Sequence, residues 1–142
     1  MIDNASVVIE LERLLNDNLE HVLLPHIRGN SIRIKNYIIR KSKAGWLVYS
    51  IKENTQIAKL FSKTAAVAIA KSLAEGNNAL EEITYYDTRL QKHYLDAMFF
   101  KYNIAHTKNK MRLRILETRY SISKQETEHV KGKLDNFIFG QA

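Results

Sequence analysis

The chain has 142 residues, of which 45% are apolar and 26% charged, with one proline and no cysteine. This length and composition predict one ordered globular domain with a core of ordinary size. The lack of cysteine excludes disulfides, thiolate nucleophiles and cysteine-held zinc or iron–sulfur centres. The formal net charge is +7, which favours an anionic partner.

The charge is unevenly distributed along the chain. Residues 1–27 hold one arginine and five carboxylates, whereas residues 28–63 hold nine cations and one carboxylate. Residues 64–107 hold four cations and five carboxylates, and residues 108–142 hold eight cations and four carboxylates. This segregation indicates either a contact with a polyanion or an electrostatic match between chain segments or subunits.

The first predicted element is an amphipathic helix over residues 5–24, which Pro25 ends. Its apolar residues recur at spacings of three and four, as Val8, Leu11, Leu15, Leu19 and Val22. The segment has neither a signal peptide's basic start nor an apolar run of membrane-spanning length. We therefore expect no membrane partner and a cytoplasmic location. Lys-, Asn- and Ile-rich usage fits an AT-rich genome of phage or marine bacterial type, and a phage-encoded protein would lie in the host cytoplasm or the virion.

A period of two begins at Ser31 and predicts a half-buried first strand. Its two faces would hold Ile32, Ile34 and Ile38 on one side and Arg33, Lys35 and Tyr37 on the other. Turns at residues 43–45 and 53–55 would separate it from strands at residues 46–51 and 56–61. Such short connections predict a three-stranded antiparallel meander.

A short helix from Ala65 to Glu75 is predicted next, with Ser62 or Thr64 as its N-cap. Gly76 stands where a left-handed residue ends a helix. Because its apolar face is made of small residues, this helix can lie close on the sheet.

Two heptad patterns then run to the C-terminus. The first comprises Ile83, Tyr86, Leu90, His93, Ala97, Phe100 and Ile104. The second comprises Leu113, Leu116, Tyr120, Ser123, Thr127, Val130, Leu134 and Phe137. With Asn78 as cap and a polar connection at residues 107–110, they predict an antiparallel helical hairpin.

A second stripe leaves the seam of this hairpin. It comprises Tyr85, Tyr94, Met98 and Tyr102. Either the sheet and first helix cover it or another subunit does, and we expect a homo-oligomer formed through the helices.

The expected fold class is therefore α+β: an N-terminal helix, a three-stranded antiparallel meander backed by a short helix, and a long C-terminal antiparallel helical hairpin. The expected division is a helix plus basic module at residues 1–76 and the hairpin at residues 77–142, packed together as one unit.

The basic meander is the strongest functional feature, because its cations can neutralise phosphates and its aromatic rings can stack on bases. The candidate nucleic-acid-binding residues are Arg33, Lys35, Arg40, Lys41, Lys43, Trp46, Lys52 and Lys59. Two other interpretations remain open. The cations could form a solvated face that protects strand edges, or they could pair with an acidic protein surface such as the first helix of a neighbour.

Residues 32–76 resemble the DNA-binding domain of ethylene-response factors and the arm-binding domain of phage integrases. The segments concerned are residues 45–49, residues 56–61 and residues 63–66, followed by Ala70 and Leu73. The resemblance implies a three-stranded sheet laid in the major groove of DNA and backed by one helix. It would place Arg33, Lys35, Arg40, Lys43, Trp46 and Lys52 towards the groove.

No motif predicts catalysis. The sequence has no metalloprotease His-Glu-x-x-His motif, phosphate-cradling glycine loop or nucleophile elbow. His21 and His26 lack the helical spacing of a metal pair, and His93 fits a hydrogen-bonded seam position. We therefore expect no enzyme activity, no metal, no cofactor and no small-molecule substrate.

The sequence thus predicts a non-enzymatic module that binds DNA or RNA through a basic sheet face and self-associates through its helices. The alternative is a structural or assembly protein, viral or phage-derived, whose basic sheet pairs with an acidic protein surface.

Overall fold

The computed structural model describes residues 27–28 and 31–140. The helix predicted over residues 5–24 lies outside these residues. The strands are β1 (Ile27–Arg28), β2 (Ser31–Ile34), β3 (Tyr37–Ser42), β4 (Gly45–Ser50) and β5 (Thr55–Leu60), and the helices are α1 (Lys63–Ala74), α2 (Leu80–Ala105) and α3 (Lys110–Phe139). The strands form one antiparallel sheet in chain order, so the α+β class is confirmed.

The prediction of a three-stranded meander is wrong at its first strand. The run from Ser31 to Ser42 is a hairpin of β2 and β3, in which Ile34 pairs with Tyr37 across a two-residue turn. Lys35 in this turn takes a left-handed backbone conformation, with φ at +51°. Because the chain reverses there, Tyr37 shares a face with Ile34, and Ile38 lies on the opposite face, contrary to the predicted alternation. The two-residue strand β1 was also not predicted.

One face of the sheet packs against α1. Ile39 and Val48 at the centre of this face are fully buried. Helix α1 contributes a row of buried small residues, with Ala66 and Ala70 among them. Small side chains let the helix backbone approach the sheet closely.

Both ends of α1 follow the predicted chemistry. The Ser62 hydroxyl accepts a hydrogen bond from the Ala65 amide at 3.1 Å. Gly76 has a φ of +83°, and the Asn77 amide donates to the Ser72 carbonyl at 2.8 Å. These bonds satisfy backbone groups that a helix end leaves unpaired.

Helices α2 and α3 form the predicted hairpin, joined by residues 106–109. Asn109 caps α3 by accepting from the Arg112 amide at 3.1 Å. The expected cap of α2 is displaced by one residue, because that helix begins at Leu80 with Ala79 at its N-cap position. The Asn78 side-chain oxygen still accepts a hydrogen bond from the Leu80 amide at 3.4 Å.

The seam of the hairpin matches the heptads. The buried heptad residues are Ile83, Leu90, Ala97, Tyr120, Ser123, Thr127, Val130 and Leu134. All of them except Ser123 and Thr127 belong to one hydrophobic cluster that also includes residues of the sheet and α1. The Lys71 ammonium donates to the Ile138 carbonyl, which joins α1 to the end of α3.

The second stripe is divided between burial and exposure. Tyr94 is buried, with its ring 5.4 Å from that of Phe61, whereas Tyr85 and Tyr102 are exposed. The end of the sheet therefore covers only part of the stripe. Among the described helices, none has the length and apolar character that crossing a membrane requires.

Candidate nucleic-acid interface

The sheet face turned away from α1, called the open face below, carries cations in two rows. The cross-strand register gives one row of Arg33, Ile38, Tyr49 and Gln56 and another of Ser31, Arg40, Leu47 and Lys59. Arg33, Arg40 and Lys59 are exposed. Neither row contains a carboxylate, so these cations form a positive patch.

The three cations are spaced across the width of the sheet. Arg40 and Lys59 lie two strands apart in one row, a backbone separation of about 10 Å. Arg33 lies diagonally across from Arg40, about 7–8 Å away. Arg33 donates from Nε to the Lys35 carbonyl at 3.0 Å. Within residues 31–140, neither Arg40 nor Lys59 forms an ion pair.

The aromatic ring of the open face belongs to Tyr49, which stands between Ile38 and Gln56 in its row. Tyr49, Ile38 and Leu47 are half-buried. Trp46, expected to face the groove, lies instead on the α1 side of the sheet, because it pairs with Lys41 and the buried Leu60.

A second group of cations surrounds Trp46 at one end of the sheet. The ammonium groups of Lys41 and Lys63 lie 5.8 and 5.6 Å from the centre of the Trp46 ring, within the range of a cation–π interaction. Lys43 follows in the β3–β4 turn, and with Tyr94 these residues line a concavity. We call Lys41, Lys43, Trp46 and Lys63 the Trp46 cluster.

Glycine is required at position 45 beside this cluster. Gly45 has a φ of +138°, and a Cβ there would lie 2.5 Å from the Leu60 carbonyl oxygen. The close approach brings the end of β5 against the β3–β4 turn. It therefore fixes where Trp46 and Lys43 stand.

Asp87, which sequence reasoning missed, holds the junction of β5 and α1. Its carboxylate accepts hydrogen bonds from the Phe61 amide at 2.7 Å, the Ser62 amide at 3.0 Å and the Ser62 hydroxyl at 2.8 Å. Burial raises the pKa of Asp87, and the three hydrogen bonds act in the opposite direction with a smaller effect. Asp87 lies next to the predicted seam residue Tyr86, and a single acid inside a helix gave no signal in the sequence.

The two remaining candidate residues lie in turns at the other end of the sheet. Lys35 is in the β2–β3 turn, and its ammonium donates to the Ala74 carbonyl at the end of α1 at 3.2 Å. A cation is favourable at that end of a helix. Lys52 is exposed in the β4–β5 turn.

The eight candidate residues therefore do not share one surface. Three cations lie on the open face, Lys41, Lys43 and Trp46 lie in the Trp46 cluster, and two lysines lie in turns at the opposite end. This division has two causes. The two-residue β2–β3 turn changes which residues of β3 face α1, and the alternation of side chains along β4 places Trp46 on the α1 side.

The described histidines form no candidate site. His93 is half-buried, His129 is exposed, and the His106 ring stacks on Tyr102 at 4.2 Å. His21 and His26 lie outside the described residues. Among residues 31–140, no three His, Asp or Glu side chains come together as a metal-binding group.

Comparison of the chain with protein-family models, with curated proteins and with solved structures found no match.

Proposed function

We propose that the protein is a non-enzymatic nucleic-acid-binding module that contacts phosphates through the open face of its sheet. The supporting observation is the set of Arg33, Arg40 and Lys59, exposed on one face with no carboxylate in their rows. Cations in such a setting attract a polyanion, because binding releases the counterions of the phosphates.

Two features suit this ligand. Arginine donates two parallel hydrogen bonds to a phosphate, and Arg33 and Arg40 are neighbours on the diagonal. The half-buried ring of Tyr49 lies in the row of Arg33 and offers a surface on which a base can stack.

The same proposal includes self-association through the outer side of α2. Leu95, Phe99 and Tyr102 recur there at spacings of four and three and are exposed, Phe99 to 62%. Burial of this stripe against a second copy removes apolar surface from water. We expect the Leu95→Gln and Phe99→Gln double variant to shift the protein to a smaller species in light scattering.

A second candidate function is assembly with an acidic protein surface. The observation that favours it is the half-buried apolar side chains of Ile38 and Leu47, which stand among the cations of the open face. Residues 1–27, with five carboxylates and one arginine, are an acidic partner present in every other copy of the chain.

An electrophoretic shift experiment with single- and double-stranded DNA and RNA tests the nucleic-acid proposal. We expect the Arg40→Glu and Lys59→Glu double variant to lose binding. The matched control is Lys92→Glu with Lys133→Glu, which makes the same charge change at exposed positions on the hairpin. Equal loss in both variants, or retained binding in the open-face variant, would remove the proposal.

Light scattering at two salt concentrations separates the assembly candidate. A complex held by the acidic segment and the basic sheet should dissociate as salt rises, whether or not nucleic acid is present. The experiment uses the Leu95→Gln and Phe99→Gln variant, so that apolar association of α2 does not mask the result; an assembly of this variant that persists in high salt contradicts this candidate.

A further inference from the structure

The far end of the helical hairpin concentrates positive charge. We define the hairpin tip as residues 108–119, the end of the connection and the first ten residues of α3. The tip holds five cations and one carboxylate, whereas residues 120–142 hold three of each. The entire cationic surplus of the C-terminal segment therefore lies in the tip.

These cations are available to a ligand. They are Lys108, Lys110, Arg112, Arg114 and Arg119, and all five are exposed. Within the part of the chain that the structure describes, none of them forms an ion pair. Within residues 31–140, therefore, no carboxylate pairs with the cations of the tip.

The local helix geometry makes this placement unfavourable without a partner. α3 begins at Lys110 and has no acidic residue in its first turn, whereas the first turn of α2 contains Glu81 and Glu82. The N-terminal end of a helix carries a partial positive charge, which repels Lys110 and Arg112. An anion bound at the tip relieves that repulsion.

The tip lies about three helical turns along α2 from the contact of that helix with the sheet end. Tyr94 of α2 contacts Phe61 at the sheet end, and α2 continues for eleven residues to Ala105. At about 1.5 Å per residue, the hairpin extends roughly 16 Å further.

We propose that the hairpin tip is a second phosphate-contacting surface, so that a nucleic acid bound at the open face is also held at the tip. This inference rests on the proposed function and adds a separate site to it. The exposed arc of the tip also contains Met111 and Ile115, which are 76% and 51% exposed. Five cations against two aliphatic side chains and no aromatic ring favour a phosphate backbone over a lipid surface.

The experiment is a salt titration of duplex DNA affinity with the full chain, followed by fluorescence anisotropy. The tip variant is Lys108→Gln with Lys110→Gln. The control is Lys92→Gln with Lys133→Gln, which removes the same charge from exposed lysines elsewhere on the hairpin. If both tip lysines contact phosphates, the log–log salt slope should become shallower by about 1.8 in the tip variant, and the control should keep the wild-type slope.

The outcomes separate this inference from the proposed function. An unchanged slope in the tip variant, or an equal change in the control, overturns the tip site alone. A shallower salt slope in the tip variant, together with an unchanged slope in the Arg40→Gln and Lys59→Gln variant, would support the tip site and contradict the open-face site. No binding by the wild-type chain removes both.

A further variant tests the lipid alternative. Met111→Gln with Ile115→Gln should keep DNA affinity within twofold, because it leaves all five cations in place. The assignment to nucleic acid would be overturned if the wild-type chain bound vesicles of anionic lipid but not DNA, and if this variant lost the vesicle binding.

Discussion

The two ends of the helical hairpin differ in how their residues contribute to folding. The base is the end at which α2 begins and α3 ends, and the tip is residues 108–119. At the base, Leu90 and Leu134 are fully buried against the core beneath α1, and Asp87 pairs with three donors. At the tip, Met111 is 76% exposed and five cations face solvent. Folding explains the residues of the base, whereas it gives no reason for the exposed cations of the tip.

The same contrast separates the two faces of the sheet. The inner face holds Ile39 and Val48 against α1, and the open face presents Arg40 and Lys59. On the open face and at the tip, Arg40, Lys59 and the five cations of the tip form no ion pair with the acidic residues that the structure describes, and the proposals concern these two places.

The largest expected difference between base and tip is in packing. Leu134→Ala, at a fully buried position on α3, should lower the free energy of unfolding by about 2–5 kcal/mol, because it leaves a cavity. Ile115→Ala on the same helix, half exposed at the tip, should change it by about 0.5 kcal/mol or less. Urea denaturation measures both, and similar losses in the two variants would contradict the division.

Asp87→Asn should lower the free energy of unfolding by about 1–3 kcal/mol, which is less than the expected loss in Leu134→Ala. The reason is that the amide nitrogen cannot accept a hydrogen bond and so leaves a donor unpaired. The same urea experiment measures this loss. The Asp96→Asn variant, on the same helix, is the control.

The pH dependence of stability sharpens the test of Asp87. Burial raises the pKa of this carboxyl above its ordinary value of 3.8, so the folded state binds more protons than the unfolded state just above that value. The contribution of Asp87 to the free energy of unfolding should therefore fall as pH rises from about 3.8 through the raised pKa, and then level off. The Asp87→Asn variant should lack this fall in the free energy of unfolding with rising pH. A pH profile identical to that of the wild-type chain would contradict the assignment of the fall to Asp87.

The smallest expected effect is at the start of α3, and it has the opposite sign. Lys110→Gln removes a cation from the first turn of a helix, so it should raise the free energy of unfolding by about 0.3–1 kcal/mol at low salt. The gain should shrink as salt screens the charge. Loss of stability in this variant would show that Lys110 has a structural role.

The regular parts of the fold were predictable from periodicity. The heptads identified the hairpin seam, because burial on one side of a helix repeats at a fixed spacing. Ser62, one of two candidate N-caps, and Gly76 placed the ends of α1 to within two residues, because capping uses few residue types.

The errors arose where one residue reverses a pattern. The β2–β3 turn at Lys35 and Asn36 has apolar residues on both sides, so the alternating pattern predicted one continuous strand there, although Asn36 is a turn-forming residue. That turn changed which face Ile38 occupies. Trp46 was placed by its chemistry and not by its pairing with Leu60.

The positive charge of the candidate site was predictable in amount but only partly in position. Counting charges over residues 28–63 identified the basic segment, yet three-dimensional placement divided it among the open face, the Trp46 cluster and the turns. Counting charges over residues 108–142 as one block also concealed that the positive surplus lies in the tip, because residues 120–142 carry equal numbers of cations and carboxylates.

The central claim is that the cations of the open face neutralise phosphates, and the salt dependence of duplex DNA affinity tests it most directly. The comparison is between the wild-type chain and the Arg33→Gln, Arg40→Gln and Lys59→Gln triple variant. Three lost phosphate contacts should make the log–log slope shallower by about 2.7, with affinity reduced most at low salt. A triple variant with the wild-type slope and affinity would contradict the claim.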